Sequence, residues 1–87
     1  MSTYQPLDCD LHDYLEIACL FHYQLLIELT DGSRLQALPL TTRTASDQCE
    51  YLEVETAQGR QSLRLDQLLA ITPVAEQARF GRILLQP

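Results

Sequence analysis

The chain has 87 residues, 46% of them hydrophobic, and a formal net charge of −6. That length suits one domain and excludes two, and the apolar share is enough for a modest core, which excludes global disorder. The charge disfavours a surface built to hold nucleic acid or an anionic membrane and favours a basic protein partner, although an ordinary solvated acidic face explains the charge equally well on its own.

The charge is also one-sided. There is no lysine, and Asp8, Asp10, Asp13, Glu16, Glu28 and Asp31 all precede the first basic residue, Arg34. The later acids are matched one for one by Arg34, Arg43, Arg60, Arg64, Arg79 and Arg82, so the whole net charge lies in the first third of the chain.

Residues 1–9, with Pro6 among polar neighbours, read as an extended lead-in. They carry no basic residue and no following apolar core of an export signal. A helix is expected over 10–21. Leu11, Tyr14, Leu15, Ala18, Cys19 and His22 recur at the spacing of one helical stripe. Asp8 and Asp10 are candidate N-caps, and Asp13 falls near the positive end of the helix dipole.

From Tyr23 the period changes to two, and Tyr23, Leu25, Ile27 and Leu29 form one side of a strand. Asp31-Gly32 supplies the positive φ angles of a tight hairpin, and Arg34–Leu38 returns as the second strand, which Pro39 is expected to end. Leu40 to Gln48 reads as a loop, and Cys49–Thr56 as a third strand with Tyr51, Glu53 and Glu55 on one side and Leu52 and Val54 on the other. A turn over Ala57–Arg60 leads to a fourth strand at Gln61–Leu65. Asp66–Leu68 turns into a short fifth strand at Leu69–Thr72, and after Pro73 a second loop leads to Phe80–Leu85, whose apolar residues suggest a closing strand. The fold class is therefore mainly β with one N-terminal helix, a small antiparallel barrel of five or six strands over 23–87, all in a single domain. Closure removes exposed sheet edges.

Taken in order, Tyr4-Gln5-Pro6, Cys9-Asp10, Asp13, Leu15-Glu16 and Ala18-Cys19 resemble the opening of the Rof (YaeO) family of Rho inhibitors. The resemblance continues through Asp31-Gly32, Leu35, Glu50-Tyr51-Leu52, Val54-Glu55 and Leu63-Arg64-Leu65-Asp66, covering roughly residues 4 to 68. It implies an Sm-like barrel and binding to the hexameric Rho helicase near its primary RNA-binding site, which reduces termination. Asp10, Asp13 and Glu16 match the family pattern and inherit the partner-binding role. His12 and Tyr14 stand where the pattern is looser and complete the candidate site with Ile17. The segment after Pro73, with Arg79 and Arg82, departs from the pattern and inherits no role.

A helical wheel places Asp13 and Glu16 opposite Leu15 and Ala18, with Asp10 flanking and Ile17 and Leu20 on the acidic side. An aliphatic pair on a charged face suits a binding helix. Two plainer readings remain: the sheet covers Ile17, or the helix ends before Leu20.

Other constellations carry less. Cys9-x-x-His12 and Cys19-x-x-His22 offer zinc-binding residue types, but His12 and Cys19 would lie roughly 10 Å apart along a continuous helix, too far to share one ion. Cys19 and His22 are expected on the buried stripe instead. Glu53 and Glu55 share one side of a strand without a histidine, serine nucleophile or phosphate-binding loop, so they are expected to pair with arginines, and no enzymatic activity is expected. An Sm-like module that binds RNA directly is the alternative reading. It requires the arginines to cluster on one face, and no aromatic–basic interleaving supports it.

Three cysteines without framework spacing are expected to be free thiols in the cytoplasm. The longest aliphatic runs, Leu25–Ile27 and Ile83–Leu85, fall far short of the roughly 20 residues of a membrane span. No cofactor, no metal and no membrane association is expected, and the chain is expected to be monomeric with Rho as its partner.

Overall fold

The computed structural model of the chain describes residues 7, 9–75 and 77–86. Its elements are helix α1 (Cys9–Phe21), strands β1 (Leu25–Leu29), β2 (Arg34–Thr44), β3 (Glu50–Thr56) and β4 (Gly59–Arg64), a 3₁₀ turn (Leu65–Gln67), then β5 (Leu68–Pro73) and β6 (Ile83–Leu84). The expected lead-in lies almost wholly outside the described residues, as does Asp8 as a cap. Cys9 already belongs to the helix, and Asp10 sits inside the first turn.

The stripe read from the sequence is largely the face that docks. Leu15 and Ala18 are fully buried, and Leu11, Tyr14 and Cys19 pack partly against the core. His22 corrects the expectation: it is exposed and adopts a φ of 55° just past the last turn. Its N–H donates to the Cys19 carbonyl at 3.3 Å and the Tyr23 N–H donates to the Ala18 carbonyl at 3.0 Å. These are the two bonds of a Schellman motif, so His22 leaves the helix axis where the chain turns toward β1.

The hairpin forms where expected, with Glu28 opposite Arg34. Only Gly32 takes a positive φ, 92°, while Asp31 accepts hydrogen bonds from the Ser33 N–H and hydroxyl at 2.9 and 2.6 Å. The N–H of Gly32 donates to the Leu29 carbonyl at 3.0 Å and that of Leu29 to Ser33 at 2.9 Å. That is a turn with a glycine bulge rather than the two-residue loop with both residues left-handed.

β2 is the larger departure. It runs through Pro39 to Thr44, so the expected loop over Leu40–Thr44 is strand. Along Arg34–Ala37 it pairs with β1, and along Leu38–Thr44 with β3. Pro39 sits at this change of neighbour, where a register shift between Pro39 and Thr41 absorbs it, as bulges do for proline in sheets.

The six strands form one antiparallel sheet in the order β4-β3-β2-β1-β5-β6. The sheet is open. Among the described residues no ladder joins β6 to β4, so the expected closed barrel is replaced by an open sheet with β4 and β6 at its edges. The reason lies in the last segment: only Ile83 and Leu84 pair, with Ile71 and Ala70, and the residues before them run elsewhere. Leu25, Ile27, Leu52, Val54, Leu65, Leu68 and Ile71 form the core beneath Leu15 and Ala18. Each such aliphatic side chain contributes about 1.5–3 kcal/mol by leaving water.

Candidate partner-binding site

Because Leu15 and Ala18 fix one face of α1 to the sheet, the opposite face is set by the helical period alone. Asp10, Asp13 and Glu16 are exposed, and Leu20 is 73% exposed within the helix, which continues to Phe21. The reading in which the helix stops before Leu20 is thereby excluded. Ile17 is half-buried, between the two alternatives, and joins Asp10, Asp13 and Tyr14 around a shallow groove of about 370 Å³. On the other flank, Glu16, Cys19 and Leu20 meet Thr41 and Thr42 of β2 around a second groove of about 340 Å³.

The other two candidates, His12 and Tyr14, are each engaged by a residue far along the chain. His12 is 20% exposed and turned toward β3, with Nε2 3.0 Å from Glu50 and Nδ1 3.8 Å from Glu16. Tyr14 is half-buried, its ring packed edge-on against Phe80 at 5.1 Å. Sequence periodicity carried no sign of either contact, since Glu50 and Phe80 lie far along the chain.

The charges on the sheet are arranged differently. Glu53 accepts from Arg43 Nε at 3.2 Å and from the Ser62 hydroxyl. These bonds, Ser62 first, hold its carboxyl below the usual range. Glu28 accepts from Arg82 Nε at 2.9 Å and Nη2 at 3.3 Å, and the same hydrogen bonding lowers its carboxyl. Asp66 is held by Arg64 at 2.7 and 2.8 Å. A polar groove of about 410 Å³ beside Arg43, Glu53, Arg60 and Ser62 is larger than either helix groove, but its Arg43 and Glu53 already satisfy each other.

The Cys9, Cys19 and Cys49 thiols are free, and burial, with Glu16 second, pushes Cys19 up to about 11. Among the described residues no three His, Cys, Asp or Glu side chains converge into a metal site.

A family model described as modulator of Rho-dependent transcription termination (ROF) matches residues 6–85. The chain belongs to the Rof family. Protein rof of Escherichia coli K12 is 43% identical over 71 residues, spanning 82% of this chain and 83% of that one, and protein rof of Shigella flexneri matches equally. A solved structure of YaeO bound to magnesium, from Vibrio cholerae O395, superposes with a TM-score of 0.77 at 25% identity, covering 98% of this chain and all of that one. The Rof match reaches beyond the region of sequence resemblance and takes in the segment after Pro73.

Proposed function

We propose that the protein inhibits Rho-dependent termination by docking the acidic face of α1 on basic residues at or near Rho's primary RNA-binding site, so that RNA cannot load. The observation that carries this reading is the exposed stripe Asp10, Asp13 and Glu16, continued by Ile17 and Leu20, on a chain of a family that modulates Rho-dependent termination. A surface that holds RNA is basic, and a row of carboxylates on a helix is complementary to it. Apolar Ile17 and Leu20 supply the desolvated centre that charges alone lack. The action is stoichiometric and non-enzymatic, by a monomer acting where Rho acts, in the cytoplasm.

Direct RNA binding finds less support, because Arg43, Arg64 and Arg82 are engaged by Glu53, Asp66 and Glu28. Among the described residues no helix is long and apolar enough to cross a membrane.

The test is binding to purified Rho across a salt series, with and without a pyrimidine-rich RNA competitor. Exposed pairs are worth about 0.2–1 kcal/mol each. Asp13→Lys with Glu16→Lys, which converts attraction to repulsion, should therefore weaken binding about tenfold or more. RNA should displace the protein, and rising salt should weaken it, since charges are screened over about 8 Å at physiological ionic strength. Full binding by the double variant at low salt would remove the helix from the interface.

A further inference from the structure

We propose that residues 77–82 form a strap that sets the position of α1 for its partner, with Phe80 as the positioning residue. The inference rests on the reading of α1 as the docking helix. The helix is held to the sheet by Leu15 and Ala18, by partly buried Leu11, Tyr14 and Cys19, and by His12 on Glu50. Leu15 and Ala18 are its only fully buried side chains among the described residues, and a 13-residue helix is marginal without tertiary support.

At the end of β5 the Val74 N–H donates to the Gln24 carbonyl at 2.9 Å, and residues 77–82 lie at the C-terminal end of α1. There the Arg79 N–H donates to the Tyr23 hydroxyl at 3.1 Å, and the Arg79 guanidinium lies 4.6 Å from the centre of the Phe21 ring. Phe80 packs edge-on between two rings, Tyr14 at 5.1 Å on the helix and Tyr23 at 6.0 Å beyond it. Past Phe80 the strap is tied down again, by Arg82 on Glu28 and by β6 on β5. Its far end is therefore anchored to the sheet while Arg79 and Phe80 pack at the helix.

Tyr14 connects the strap to the proposed site. Its side chain lines the groove with Asp10, Asp13 and Ile17, so Phe80 backs one wall of that groove without facing the partner's charges. Removing the Phe80 ring frees Tyr14 and loosens the helix while leaving every carboxylate in place. The expected signature is lower affinity with unchanged salt dependence, because the number of charges in the contact is the same.

The experiment compares Phe80→Ala, Phe80→Tyr and the Asp13→Lys, Glu16→Lys double variant in the full chain. It reads Rho affinity across salt and amide hydrogen exchange. Phe80→Ala should speed exchange in Cys9–Phe21, leave the amides of β1–β5 protected, and weaken Rho binding about tenfold with the wild-type salt slope, the loss expected for two ring contacts. Phe80→Tyr, which keeps the ring, should restore both. The double charge variant should lose binding and flatten the salt slope with helix exchange unchanged. Wild-type affinity for Phe80→Ala beside a weakened charge variant overturns the strap and leaves the docking reading standing. Wild-type affinity for both variants overturns the two together. If Phe80→Ala also loosens the sheet, the exposed Arg79→Ala decides: faster helix exchange with affinity roughly threefold lower supports the strap, and wild-type values for both overturn it.

Discussion

On the sheet, Glu28 is gripped by Arg82, Glu53 by Arg43 and Ser62, and Asp66 by Arg64, each across a strand, a turn or the strap. On α1, Asp10 and Asp13 face solvent with no ion pair among the described residues, and Glu16 reaches only the His12 ring at 3.8 Å. These carboxylates are thus matched within the molecule, whereas Asp10 and Asp13 of the helix are not. Charges that have found partners inside the molecule hold it together, whereas unmatched charges on one helical face are available to something outside. The contrast also separates stability from function, because a carboxylate on the sheet and one on the helix should respond differently to the same substitution.

The strongest way to break that contrast is to remove what both regions share. Leu15 is fully buried at the helix–sheet junction, and Leu15→Ala should lower stability by about 2–5 kcal/mol, read from urea unfolding. A loss below about 1 kcal/mol would mean that α1 is not docked as described. A finer comparison sets Glu53→Gln against Asp13→Asn. The sheet substitution should cost about 0.2–1 kcal/mol, and the helix substitution should leave stability within about 0.5 kcal/mol while weakening Rho binding. Equal effects on binding from both would dissolve the distinction between the regions.

The smallest effect concerns pH. Hydrogen bonding from Arg82 holds the Glu28 carboxyl below its ordinary value, so folding favours the ionised form. The stabilisation is present above the unfolded carboxylate pKa of about 4.3 and is lost as pH falls through the lower folded value. Glu28→Gln should therefore flatten the acid limb of the stability curve without changing its shape near neutrality. Urea midpoints between about pH 6 and pH 3 would show this, and an unchanged acid limb would place the pair outside the folding equilibrium.

Much of this architecture is legible one element at a time. Helix 10–21 was expected and Cys9–Phe21 is found, the Asp31-Gly32 hairpin pairs Glu28 with Arg34, and Leu52 and Val54 point inward from β3. By its missing N–H Pro39 suits a strand end, yet β2 changes neighbours there and a bulge accommodates it. His22 fitted the apolar stripe by spacing, but the helix had already ended. The acidic face could be drawn on a wheel, whereas the inward turn of His12 toward Glu50 and the Tyr14–Phe80 contact could not.

By itself the sequence determined the local periods, the position of the turns and the concentration of uncompensated acid in the first third of the chain. These depend on residues a few places apart, where propensity and side-chain spacing act directly. Only the tertiary structure decided that the sheet stays open, that Leu20 is exposed on the acidic side, and that the last segment returns to the helix instead of closing a barrel. Those outcomes turn on contacts such as Arg79 with Tyr23, 56 residues apart, whose free energies compete with one another and leave no periodic trace along the chain.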